Sequence, residues 1–287
     1  MKKILLFFAV ATILAACNND NEVLNETQYI TEFKADFGGA DTRMTATADN
    51  GLKFAWDDGD WLYVYNPEDE SDYYEFYYDS SDDKFYLYLS SKSNEGLTVN
   101  KSYFATSQGL DNDSYTSVGG NFAVKTQLWH GDVSTIPLIS DLFLAKADGT
   151  IATMHHTVGV VEVPVKLDAE STISKSVDVS IAVSDDNVVG SFYATPKSPY
   201  YAGIIGGGDF YDDSYAYQNA TLNKSTFVSF FIPMLPGTYV NPKLWYHDED
   251  GELAADPVGL TGTLTIERGK VTKMPEQVPT LNYITHL

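Results

Sequence analysis

The chain has 287 residues, 14% of them aromatic, and carries 18 Lys+Arg against 40 Asp+Glu for a net charge of −22. So acidic a surface makes nucleic acid and anionic lipid poor partners. Cys17 is the single cysteine, so no intrachain disulfide can form and packing must supply the stability.

Residues 1–17 read as a lipoprotein signal peptide and lipobox. Lys2 and Lys3 precede an apolar run from Ile4 to Leu14, too short for a permanent span, and Leu14-Ala15-Ala16-Cys17 follows at the cleavage position. Cys17 is then the lipidated first residue of the exported form, held at a membrane surface by acyl chains. Losing Lys2 and Lys3 takes the charge from −22 to −24. Residues 18–28 are polar and read as a tether.

From Tyr29 to Phe37 the residues alternate, with Tyr29, Phe33 and Phe37 expected on one face of a strand. Residues 38–44 are rich in Gly, Ala, Asp and Thr, a turn-prone stretch. Arg43 is the only Lys or Arg between Lys34 and Lys53, so a protease cutting after a basic residue would divide Arg43 from Met44. Asn50-Gly51 signals a turn, and Leu52–Trp56, Asp57-Asp58-Gly59-Asp60 and Trp61–Tyr65 read as a hairpin.

Beyond it come short aromatic strands between turn clusters, the spacing of an all-β domain. Tyrosines from Tyr73 to Tyr88 read first as strand residues, by propensity and cross-strand packing, with a stacking platform for sugars as the lesser alternative. Ala147-Asp148-Gly149 marks a border between residues 29–150 and 151–287, because a second series of strands starts there. Thr195 to Asn223 reads as a long loop. Thr263 to Met274 reads as a hairpin closed at Arg268-Gly269. The expected fold is all-β, two tandem β-sandwich domains.

Little in the sequence points to catalysis. His155 and His156 are adjacent, so on a strand their rings face opposite ways and share no metal easily. The acidic run near Asp248-Glu249-Asp250-Gly251 fails an EF-hand register, which would need ligands where Tyr246 and Pro257 stand. Asp111, Asn112 and Asp113 read as solvated turn residues. No catalytic residue, metal or cofactor is expected.

Thr42-Arg43, Trp56-Asp57-Asp58-Gly59-Asp60, Met154-His155-His156-Thr157-Val158, Val188-Val189-Gly190-Ser191-Phe192 and Phe231-Ile232-Pro233-Met234-Leu235-Pro236-Gly237-Thr238-Tyr239 together resemble the fimbrillins, subunits of type V pili. The resemblance implies transthyretin-like β-sandwiches and a lipoprotein of the outer membrane and cell surface. It also implies cleavage after Arg43, leaving Met44 first, and polymerisation into a fimbria by donor-strand exchange, serving adhesion. Under it, the strand bearing Tyr29, Phe33 and Phe37 is removable, and a tail strand with Leu281, Tyr283, Thr285 and Leu287 on one face is the donor for the next subunit. The implied partners are other pilus subunits, the membrane before processing, and a host protein or glycan. Two alternatives stay open: a glycan-binding surface lipoprotein, and an anchor subunit that is never cleaved.

Overall fold

Seven strands form a sheet that closes on itself. In spatial order they are Leu138–Ser140, Ile151–His156, Glu32–Phe37, Lys84–Ser90, Asp69–Asp79, Trp61–Asn66 and Ser102–Thr106, and Ile139 pairing with Thr106 completes the ring. The computed structural model describes residues 27–37, 45–47, 51–53, 56–92, 95–107, 115–118, 121–128, 136–173, 176–182, 188–198, 200–204, 215–248 and 258–282. All its regular elements are β-strands, as the short aromatic runs predict.

Alternation builds this first unit. Leu62 and Val64, Tyr74 and Phe76, and Phe85 turn inward and are buried, joined by Tyr103, Phe143 and Met154. Of their neighbours, Trp61 and Tyr77 are exposed, whereas Tyr65 and Phe104 are buried in the second unit's core, so the sheet's outer face is wetted only in part.

The second unit surrounds Gly159–Val165, in which all seven residues are buried. A strand covered on both faces loses the alternation and reads as a continuous apolar run. It lies between Val228–Met234, antiparallel, and Val271–Lys273, parallel. Glu162, the one charge in it, is buried but accepts from Ser229 Oγ at 2.8 Å and faces Lys273 Nζ at 3.2 Å. A second sheet runs Tyr215–Thr221, Ser176–Ala182, Lys243–Asp248 and Val258–Gly259, and a third runs Tyr115–Val118, Asn121–Leu128, Gly190–Ala194 and Tyr201–Ile204. Val160, Val163, Val179, Ile181, Phe192, Phe230 and Tyr246 fill the space between.

Several sequence expectations shift. The strand Ile151–His156, expected to open the second domain, runs parallel to Glu32–Phe37 in the first sheet. Conversely, Asn121–Leu128 pairs with Gly190–Ala194, so the first half of the chain lends a hairpin to the second unit. Among the described residues, the expected hairpin of Leu52–Trp56 with Trp61–Tyr65 is not formed. Instead Gly51–Lys53 pairs with Thr45–Thr47, and Trp61–Asn66 pairs with Asp69–Asp79. The reason lies in the Asp57–Asp60 turn: Gly59, at φ +85°, donates to Tyr78 O, and Ser80 N donates to Asp58, so the turn docks on its neighbour and swings Trp56 away. The segment from Thr195 to Asn223 contains the strands Tyr201–Ile204 and Tyr215–Thr221. The Arg268-Gly269 turn exists, but its two strands join different partners, Thr263–Ile266 with Gly237–Val240 and Val271–Lys273 with Gly159–Val165.

The units are clasped by four side chains. Asp141 and His155 come from the first, Tyr200 and Arg268 from the second. His155 stacks on Tyr200 at 4.3 Å and its Nε2 meets Asp141 at 3.0 Å, the Tyr200 hydroxyl donates to the other Asp141 oxygen, and Arg268 lies over the Tyr200 ring at 4.6 Å. Burial, then the Asp141 carboxylate, pushes the Tyr200 hydroxyl up to about 12.

Candidate functional site: the seat of the first strand

The first strand is held by few backbone pairs and many ring contacts. Tyr29–Ile30 pairs with Leu97–Thr98, the ladder breaks at Thr31, and Glu32–Phe37 continues. On one side Glu32 and Phe33 pair with Tyr86 and Phe85, and Thr31 O accepts one further bond from Leu87 N at 2.8 Å. On the other, Lys34 to Phe37 pair in parallel with Ile151 to Met154.

The break at Thr31 resets which side chains face inward. Ile30, Phe33 and Ala35 are buried, whereas Tyr29 is 40% exposed. Of the three rings expected on one face, Phe33 enters the core, Phe37 sits at its edge and Tyr29 lies outside. A two-residue strand followed by an off-ladder residue cannot keep the period of two.

Phe33 occupies an aromatic cage. Its ring meets Phe76 edge-on at 4.8 Å and stacks near Phe85 at 5.8 Å and Phe143 at 5.7 Å. Trp56 closes the far end: its Nε1 donates to Ala35 O at 2.9 Å, and its ring lies 5.1 Å from Phe37 and 4.9 Å from Phe85. At the near end Gly96 permits a backbone crossing, since a Cβ there would stand 2.0 Å from Ile30 O. Two exposed ion pairs, Lys34 with Asp83 and Lys84 with Glu32, flank the strand. Lys34, then Tyr78, holds the Asp83 carboxyl below its usual range, and Glu32 raises Lys84. Exposed pairs of this kind contribute only about 0–1 kcal/mol.

An open groove of about 900 Å³ lies beside the strand's first half, walled by residues 28–34 and by Lys146 to Ile151. It exists because the parallel ladder starts only at Lys34, which leaves Gln28 to Phe33 diverging from that wall.

The other expected residues are not gathered here. Cys17, Arg43, Met44, Tyr283, Thr285 and Leu287 lie outside the described residues. Leu281 is fully buried in the second unit's own core, its N–H donating to Ser171 Oγ at 2.9 Å and its carbonyl accepting from Thr172 N at 3.0 Å. The tail up to Asn282 is therefore folded onto its own chain. Sequence reasoning missed Ile30, Gly96 and the clasp by Trp56. The tryptophan was visible in its motif, but Gly96 carries no local signal, because its need arises from a crossing with a distant strand.

Among the described residues no three His, Cys, Asp or Glu side chains gather as a metal site, and no helix is long and apolar enough to cross a membrane. His156 is buried and His155 partly exposed, on opposite faces of their strand.

No family model matches the chain, and no curated protein matches it. Solved structures do. A "putative cell adhesion protein" from Bacteroides ovatus aligns with a TM-score of 0.53 at 10% identity, over 86% of this chain and 92% of that one. This chain shares its fold. A "putative cell adhesion protein" from Bacteroides uniformis aligns with a TM-score of 0.46 at 11% identity, over 85% of this chain and 92% of its own. A fimbrial protein from Bacteroides ovatus aligns with a TM-score of 0.37 at 13% identity, over 90% of this chain and 50% of its own.

Proposed function

We propose that this chain is a structural subunit of a type V pilus, exported as an outer-membrane lipoprotein through Cys17, cleaved between Arg43 and Met44, and polymerised at the cell surface by donor-strand exchange in the service of adhesion. The observation that supports the reading is the seat of Glu32–Phe37, an interior strand contributed by the extreme N-terminal part of the fold. Its loss would expose the Phe33 cage and leave Ile151 to Met154 on one side, and Phe85 and Tyr86 on the other, without their ladder partners along that edge.

The magnitude argues for a replacement. Ile30 and Phe33 at ~1.5–3 kcal/mol each, with part of Phe37, amount to roughly 4–7 kcal/mol of lost burial, against a domain stability of about 5–15 kcal/mol. An incoming strand restores both ladder and burial, which is recognition by β-strand addition. The open groove beside Gln28 to Phe33 offers that strand a place to start.

We assign the donor to the tail, through Leu281, Tyr283, Thr285 and Leu287. Leu281 rests in its own core, so donation requires the tail to peel away from Ser171 and Thr172 first, at about 1.5–3 kcal/mol for the leucine alone. Burial in a neighbour's groove then repays it. The test is the polymer ladder on a gel run without boiling: a chain lacking residues 283–287 should be exported, folded and cleaved yet form no ladder. A normal ladder eliminates the tail as donor.

A further inference from the structure

The outer surface of the first sheet carries a row of aromatic side chains that the core does not use. Trp61, Tyr77 and Tyr86 stand opposite one another on three adjacent strands, Trp61 paired with Tyr77 and Tyr77 with Tyr86. Trp61 is 37% and Tyr77 36% exposed. A fourth ring joins them through an irregularity. Glu75 pairs with Leu89 and Phe76 with Leu87, so Tyr88 is an extra residue bulged out of the ladder. It is 64% exposed and meets Trp61 edge-on at 5.0 Å. Bulges re-aim side chains, and this one turns a tyrosine over its neighbours' rings.

Polar groups around the row sort the ligand chemistry. Most nearby carboxylates are engaged: Asp82 accepts from the Tyr86 hydroxyl, Glu32 binds Lys84, Asp58 accepts from Ser80 N, and Asp60 from Asp57 N. A cationic peptide would need acids that are free to pair with it. Glu75, two residues before Tyr77 and so on the same strand face, is paired with Tyr63, one step along from the Trp61–Tyr77 pair. The net charge of −22 disfavours sulfated or sialylated chains. What this surface suits is a neutral ligand with flat C–H faces and many hydroxyls.

We infer that Trp61, Tyr77, Tyr86 and Tyr88 form a binding platform for neutral oligosaccharides. Three adjacent strands at ~4.8 Å spacing set the row's length at about 10 Å, enough for a short run of sugar rings to lie across it. The sugar faces pack on the rings, while Glu75 and the tyrosine hydroxyls meet the equatorial hydroxyls. This site needs neither cleavage nor polymerisation, so it stands apart from the pilus assignment.

The exported full chain is titrated by calorimetry and saturation-transfer NMR with cellohexaose, maltohexaose, laminarihexaose and galactohexaose, with sialyllactose and a lysine-rich peptide alongside. At least one neutral hexasaccharide should bind at about 1 mM or tighter. Tyr88→Ala and Trp61→Ala should each weaken it by about tenfold, equivalent to about 1.4 kcal/mol. Thermal unfolding of Tyr88→Ala should match the parent, because the side chain is largely exposed. No neutral binding at millimolar sugar, binding indifferent to both substitutions, or binding of the lysine-rich peptide alone would each overturn the assignment.

Discussion

The indole Nε1 of Trp56 donates to the carbonyl oxygen of Ala35 at 2.9 Å, so a residue that follows the Arg43 segment holds the strand that precedes it. The two ends of one chain segment are fastened across the site where the first strand would separate. Under the proposed processing, a cut at Arg43 would turn this contact into one between two separate chain segments.

Trp56→Phe keeps a ring but removes that donor, at a cost of about 1 kcal/mol. The strand should be held less firmly while the rest of the sheet is not. Hydrogen exchange should therefore quicken in residues 29–37, with Trp61–Asn66 unaltered. Equal acceleration throughout the sheet would mean that Trp56 supports the whole unit and has no special hold on the strand.

Gly96→Ala attacks the other end. A Cβ only 2.0 Å from Ile30 O forces backbone apart from backbone. The expected result is earlier proteolysis at the N-terminal segment and loss of Tyr29–Ile30 protection. Full protection in the variant would show that the crossing can relax.

Phe33→Ala should cost ~3–5 kcal/mol, because the ring is 3% exposed and three aromatic neighbours surround it. Urea unfolding of the uncleaved chain measures this directly. A loss below about 1 kcal/mol would show that the cage collapses onto the space, leaving no defined groove for an incoming strand.

Acid should weaken the fold before most carboxylates respond. Burial first, then Arg268 and His155, pushes His156 down to about 3. The folded protein keeps this ring neutral while the unfolded chain takes up a proton near pH 6.5, so the stability is complete above that pH and is lost as pH falls toward 3. The slope approaches 1.4 kcal/mol per pH unit. Asp69, held down to about 2 by Ser71 and Lys92, and Asp83 lose their contributions only at lower pH. Between pH 6.5 and 4.5 the urea midpoint should therefore fall in the parent and stay nearly flat in His156→Leu; equal slopes would assign the acid sensitivity elsewhere.

The all-β class was legible because alternation and turn chemistry are local. Leu62, Val64, Tyr74 and Phe76 announce a half-buried sheet by themselves. Partners were not legible. Trp61–Asn66 pairs with Asp69–Asp79, and the Asp57–Asp60 turn before it docks on Tyr78, a residue in a different strand, which no local signal announces. Ile151–His156 likewise looked like the opening of a second domain, and only the parallel ladder to Lys34–Phe37 assigns it to the first sheet. At the site, Phe33 was readable from periodicity, whereas the inward turn of Ile30 in place of Tyr29 follows from one off-ladder residue, Thr31. Leu281 was readable as apolar, but not which core receives it.

The measurement closest to the central claim is the N-terminal residue of this protein in polymers sheared from intact cells, read by sequencing and intact mass. Donor-strand exchange after processing predicts Met44, with residues 17–43 absent. Polymers that begin at a lipid-modified Cys17 would contradict the account, since the seat of Glu32–Phe37 would then still be filled by its own strand.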